Sequence, residues 1–347
     1  MLELLRRAEG LAEALGDRPR LRRVYDDMSN YFRLVGDYGA AIRASERTLG
    51  LAAELGESAV AESNYNLGMA CRAAGDFHRA IAALATTARL PLTEYRGPAL
   101  LAVHARAWLA TVLAEIGEYG EAIDEGEQGR RTAEALGNPY SHMTALYGLG
   151  VVYLAKGEFD SALPLLEHSL ALCKEGAYHL LFPQVASALG VTYAASADVL
   201  AGIDLLEQAL AHARAKKLLG NYSRLLSRLG EVYLAANRTD EAMRLAGEAL
   251  TASRRHGERG HEAWALALLG KLHTQALRPD RSKKSFLDAL ALATELGMRP
   301  LVAHCHRGLG ELFRRVGDRD AAGQRARTAA TMYREMGMKR WVEATEA

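Results

Sequence analysis

An all-α solenoid of antiparallel helix pairs is the fold class this sequence predicts, and three observations predict it. First, a Leu–Gly pair or a close substitute returns along the whole chain. Its small residue falls at Ser29, Gly68, Ala110, Gly150, Gly190, Gly230, Gly270 and Gly310, with steps of 39, 42 and then 40 residues. Self-similarity at a fixed period of this size means stacked supersecondary units, not one globular core. Second, a Gly-Asp or Gly-Glu dipeptide divides most units into two stretches whose apolar residues keep helical spacing. Third, a small residue follows each divide, at Ala41, Ala80, Ala122, Ala162, Gly202, Ala242, Ser282 and Ala322. Small side chains there let paired helices approach closely.

Residues 58–97 are the clearest unit. Ala61, Tyr65, Leu67, Gly68 and Cys71 form one apolar face, Gly75-Asp76 the turn, and Ala80, Leu84 and Ala88 the facing helix. The glycine is expected to close the first helix in a left-handed cap, and the aspartate to cap the second through a backbone N–H. Gly36-Asp37, Gly117-Glu118, Gly157-Glu158 and Gly317-Asp318 repeat this punctuation. Ser196-Ala197-Asp198 and Leu277-Arg278-Pro279-Asp280 are altered turns. A second glycine closes the second helix at Gly16, Gly56, Gly137, Gly257, Gly297 and Gly337. One array therefore fills residues 1–347, with repeats at 17–57, 58–97, 98–138, 139–178, 179–218, 219–258, 259–298 and 299–337, and a polar cap at 338–347. A local break is expected from Leu90-Pro91 through Gly97-Pro98, because proline resists helix continuation. Residues 1–16 align with the second helix of a repeat, so the chain begins in mid-unit. That favours the tail of a longer protein over a native start with a lone capping helix.

Composition bounds the function classes. Hydrophobic residues at 49% and charged residues at 24% are ordinary for a folded globular chain. A formal net charge of +1 gives no basic field for nucleic acid. Cys71, Cys173 and Cys305 lie far apart without metal-ligand or disulfide spacing, which suits small core residues in a reducing, cytoplasmic setting. The charged start MLELLRRAEG is unlike a secretory signal, and no run of 18 apolar residues predicts a membrane span.

Leu149-Gly150-Val151-Val152-Tyr153 with Ala162, Leu189-Gly190-Val191-Thr192-Tyr193 with Gly202, and Leu229-Gly230-Glu231-Val232-Tyr233 with Ala242 resemble the tetratricopeptide repeat. The resemblance covers nearly the whole chain. It implies a right-handed superhelix whose first helices line a concave face. The period exceeds the usual repeat of about 34 residues. Such long repeats are similar to those of spindle adaptors and kinesin light chains, and to sensor arrays of bacterial signal-transduction ATPases and antibiotic-pathway regulators.

No catalytic constellation stands out. Gly270-Lys271 lacks a phosphate-loop glycine pattern, and His261-Glu262 lacks the second histidine of a zinc protease because Ala265 occupies its place. No enzyme activity, cofactor or metal site is expected. The resemblance instead assigns a protein or peptide ligand to the concave face. The expected binding residues are Asp27, Asn30, Tyr65, Asn66, Met69, His104, Trp108, Tyr147, Val151, Arg224, Arg228 and Lys271. They make a polar entrance, an aromatic middle and a basic far end, which suits a peptide with an apolar centre and an acidic end. Asn30 and Asn66 match two asparagines of the carboxylate clamp of chaperone adaptors. The cations of that clamp are replaced by Asp26, His104 and Trp108, so a chaperone-tail clamp is rejected. Ten acidic residues against four basic ones at 101–170, then ten basic against five acidic at 211–260, would orient a partner or pair two copies. The sequence thus reads as a non-catalytic peptide- or protein-binding scaffold, the sensor or interaction region of a larger bacterial regulator whose own N-terminal domains are possible partners. Its alternatives are a free-standing adaptor and a cytosolic receptor for a short signalling peptide.

Overall fold

A computed structural model of the protein describes residues 1–90 and 96–347. The break expected from Leu90-Pro91 through Gly97-Pro98 involves residues outside that set. Among the described residues there are 18 α-helices and no strand. A leading helix α1 (Leu2–Leu15) precedes eight pairs. These are α2 (Arg18–Val35) with α3 (Tyr38–Ala52), α4 (Glu57–Ala74) with α5 (Phe77–Ala88), α6 (Arg96–Ile116) with α7 (Tyr119–Leu136), and α8 (Pro139–Lys156) with α9 (Phe159–Glu175). Then come α10 (Phe182–Ala195) with α11 (Val199–Ala215), α12 (Tyr222–Ala235) with α13 (Thr239–His256), α14 (Arg259–Gln275) with α15 (Pro279–Glu295), and α16 (Arg299–Arg315) with α17 (Arg319–Glu335). Helix α18 (Lys339–Glu346) ends the chain. The pairs stack into a right-handed superhelical solenoid.

Local chemistry sets each pair. Asp37, Asp76, Asp198 and Asp318 accept a hydrogen bond from the backbone N–H three residues on. Glu118 and Glu158 stand at the same position without a side-chain cap, since their extra methylene places the carboxylate beyond that N–H. A Cβ added to Gly150 would fall 2.7 Å from Leu166 on the partner helix, so only a hydrogen fits between α8 and α9. In the first pair Ser29 and Ser45 replace that contact with a buried hydroxyl–hydroxyl bond of 2.7 Å.

Helix α6 contains an apolar window, Ala99–Ile116, with mean hydropathy 1.5. By length and composition it would cross a membrane, although no uninterrupted apolar run is present. Here 67% of the window is buried inside the protein. Its neighbours are α4, α5, α7 and α8, and α16 from the far end of the chain.

That last contact carries the main architectural finding: the superhelix closes on itself. The backbone N–H groups of Leu219 and Gly220 donate to Leu34 O at 3.2 and 3.3 Å. The Tyr38 hydroxyl donates to Glu258 Oε1 at 2.7 Å, and His256 Nδ1 lies 3.1 Å from Gly36 O. Arg299 pairs with Glu118 at 3.6 Å, and Arg340 stacks over Phe159 at 4.6 Å. The turns of the first four pairs therefore lie beneath the last repeats. Glu258 is 1% exposed. Burial opposes its charge, but His261, Ser223 and Tyr38 outweigh burial and hold its carboxyl below the ordinary range. The three cysteines are free thiols buried within the stack.

Candidate ligand-binding chamber

Closure converts the concave face into an interior. Its N-terminal part is filled by its own side chains. Asp27 is exposed on the rim. Asn30 Oδ1 accepts from Arg33 Nη2 at 2.7 Å, and Asn66 Nδ2 donates to Asp26 Oδ1 at 2.8 Å. Arg22 bridges Asp26 and Glu62 at 2.9 and 2.8 Å. The two asparagines thus hold neighbouring side chains. Burial pushes the Asp26 carboxyl up to about 6, against the lowering effect of Asn66 and Arg22.

The aromatic middle is also packed. Trp108 is 3% exposed, lies beneath the Arg72 guanidinium at 4.7 Å, and meets Tyr147 edge-on at 5.6 Å. Met69 is buried, and burial pushes the Tyr65 hydroxyl up to about 12. His104 Nε2 lies 3.0 Å from Ser141 Oγ, and burial lowers the ring to about 4. These packed residues form a plug.

Beyond the plug lies a chamber of about 240 Å³, with an adjoining cavity of about 50 Å³. Val151, Arg224 and Arg228 line both, and Lys271 lines the larger one. Arg224 and Arg228 lie one turn apart on the same face of α12. Arg224 stacks over Trp264 at 4.4 Å, and Trp264 Nε1 donates to Glu115 Oε2 at 3.3 Å across the superhelical seam. Arg228 donates through Nη1 to Ser187 Oγ at 2.7 Å. Burial, and then the neighbouring Arg224, push Arg228 down to about 10. Lys271 pairs with Glu231 at 3.4 Å. Arg307 stacks over Trp341 at 5.0 Å. His304 contacts Trp341 edge-on at 4.7 Å, and burial together with Arg307, Lys271 and Arg224 holds its ring well below the ordinary value.

The structure therefore separates the expected binding residues. Asp27 is exposed, Asn30 and Asn66 hold side chains of the N-terminal part, and Tyr65, Met69, His104 and Trp108 lie in the plug. Tyr147 borders the smaller cavity, and Val151, Arg224, Arg228 and Lys271 line the chamber. Glu115, Tyr119 and Trp341 line the chamber although sequence reasoning passed over them as wall residues. Glu115 carried a legible signal, because Ala73, Ala155, Ala195 and Ala235 occupy the same place in other repeats. Trp341 carried none. It sits in the terminal segment expected to be a polar cap and instead packs on Tyr333 and His304. Among the described residues, no group of three or more potential metal ligands occurs.

Tetratricopeptide-repeat models match residues 65–133, 102–175 and 224–261. No curated protein matches the chain by sequence. Among similar solved structures is a Rap protein complexed with competence and sporulation factor, with 10% identity and a TM-score of 0.62 over 94% of this chain and 95% of that one. NprR in complex with its cognate peptide NprX has 13% identity and a TM-score of 0.59 over 82% of each chain. A signal-transduction ATPase of Pyrococcus horikoshii with a tetratricopeptide-repeat sensor has 14% identity and a TM-score of 0.53 over 96% of this chain and 50% of that one. Three tetratricopeptide-repeat models thus match stretches of this chain, and the forty-residue register in which they fall continues through both flanks.

Proposed function

We propose that the protein is a non-catalytic receptor for a peptide or protein segment, acting as the sensor part of a bacterial regulator. The chamber carries this reading. Its walls come from helices α6 to α10 and from α12, α14, α16 and α18, so a bound segment touches early and late repeats at once. Occupancy is thereby coupled to closure, because a ligand that binds the closed form better shifts the population toward it. The signal is a tighter or looser spring, delivered to whatever is joined to the array. Peptide-bound complexes solved on this fold support the ligand class, and the sensor-bearing ATPase supports the role within a larger protein. Asp27, Asn30, Tyr65, Asn66, Met69, His104 and Trp108 then serve as support, while Tyr147, Val151, Arg224, Arg228 and Lys271 face the ligand.

The test is selection of displayed random peptides on the full chain, followed by hydrogen exchange with an enriched peptide. Binding should be lost when Val151→Trp fills the chamber, and exchange around Tyr38 and His256 should slow in the bound wild type. Enriched peptides that bind the filled variant equally well would place the site elsewhere. An absence of enrichment would count against a peptide receptor.

A further inference from the structure

We infer that the Arg224–Arg228 pair is a carboxylate site and that it takes the C-terminal end of an apolar peptide. This rests on the peptide reading above and names the part of the ligand that enters the chamber. Four cations, Arg224, Arg228, Lys271 and Arg307, line the chamber against two carboxylates, Glu115 and Glu231. Glu231 is already engaged by Lys271. Among the described residues, no carboxylate lies within 4.0 Å of the guanidinium of Arg224, Arg228 or Arg307. Arg228 is 8% exposed and has one neutral partner, Ser187. Arg224 Nη1 is buried with no acceptor.

Two guanidiniums one helical turn apart, Arg228 buried and Arg224 partly so, repel each other, and the chamber's two carboxylates lie beyond ion-pair distance of both. A guanidinium buried without an ion-pair partner is destabilising to the fold. A structural role would be served better by two apolar residues of the same length. The arrangement is relieved by an incoming anion, and a carboxylate matches the planar fork of arginine with two parallel N–H···O bonds.

Size and wall chemistry select the rest of the ligand. A chamber of about 240 Å³ is smaller than common small-molecule pockets, which run from roughly 300 to 1,000 Å³. It holds the last residue or two of a chain but not the middle of an extended strand. Trp264, Trp341, Tyr119 and Val151 give those residues an apolar and aromatic wall. An apolar terminal side chain against the tryptophans, with its free carboxylate on the arginines, satisfies both surfaces.

The probe is a pool of pentapeptides with varied apolar residues at the last two positions, made in three forms. One has a free C-terminal carboxylate, one a C-terminal amide, and one an amide with glutamate at the third position. Retention by the full chain is read by size exclusion and mass spectrometry. The free acid should be retained at least tenfold more than the amide, and both Arg228→Gln and Arg224→Gln should abolish that preference. Arg228→Gln should melt no lower than wild type in the absence of peptide, because it removes a buried charge. Arg224 is only partly buried, so Arg224→Gln keeps the test open if the Arg228 variant misfolds. Equal retention of acid and amide would overturn the carboxylate site and leave the peptide reading standing. Retention of the glutamate amide in preference to the free acid would overturn the terminus. Retention of no form would sink both readings.

Discussion

At Gly36, Gly75, Gly117 and Gly157 the turn inside a helix pair is buried beneath the later repeats, whereas Ala197, Asn237, Leu277 and Gly317 hold the same place in the open. All eight have positive φ, from 54° to 90°. The backbone demand is therefore shared, and the steric demand is not. A Cβ at Gly117 would lie 2.6 Å from Met336 Sδ, and one at Gly157 would lie 2.7 Å from Trp341 Nε1. A Cβ at Gly317 would meet nothing within 4 Å. Glycine is thus required twice in the first half, for φ and for contact, but only once in the second. Where only φ is at stake, alanine, asparagine and even leucine are tolerated at a modest cost. An irregularity of the repeat consensus is in this way a footprint of superhelical closure.

Paired alanine substitutions test this most sharply. Gly317→Ala carries only the left-handed penalty, roughly 1–2 kcal/mol. Gly117→Ala carries that penalty plus displacement of Met336 and Pro300, for a total of roughly 2–5 kcal/mol. Thermal unfolding should separate the two variants, and small-angle scattering should find Gly117→Ala more extended. Equal losses and equal dimensions would mean that closure places no demand on the first four turns.

The seam and the interior carry buried carboxylates with opposite pH signatures. Glu258 at the seam has a lowered carboxyl, so its contribution is present above the ordinary glutamate range and is lost as pH falls through the folded value. Asp26 is raised from 3.8 to about 6, so the folded state binds its proton more tightly and stability is lost as pH rises between those values. A two-unit difference corresponds to at most about 3 kcal/mol. Melting followed from pH 3 to pH 7 should show Asp26→Asn removing the decline on the higher side and Glu258→Gln removing the loss on the acid side. An unchanged profile in either variant would mean that the residue titrates alike in folded and unfolded chains.

The smallest expected effect is a gain. Leu277 has φ 54° and is 78% exposed, so it strains the backbone without packing in return. Leu277→Gly should stabilise the protein by about 1 kcal/mol. The same exchange at a seam turn has no counterpart, since glycine is already there. A destabilised Leu277→Gly would show that this leucine contributes a contact that its exposure does not suggest.

Much of the fold was legible because the determinants of a helix pair are local. The forty-residue register, the aspartate caps at Asp37 and Asp76, and the small residue at Gly150 all act within one repeat. The residues of the proposed binding surface were legible only as a face. Periodicity places Trp108, Val151 and Arg228 on first helices alike, yet Trp108 is packed into the plug while Arg228 borders the chamber. The same register that located Arg224 and Lys271 gave no weight to Trp341, which lies in the terminal segment after the last full pair.

By itself the sequence determined the helix pairs, their turns and their stacking, because caps, glycines and apolar spacing act between residues within about forty positions of one another. The tertiary structure decided that the stack closes, which turns pack against one another, and which charges are left without partners. Tyr38 meets Glu258 and Glu115 meets Trp264 only after small rotations have accumulated over several repeats. No single repeat encodes that sum, and the environment of Arg224 and Arg228 depends on it.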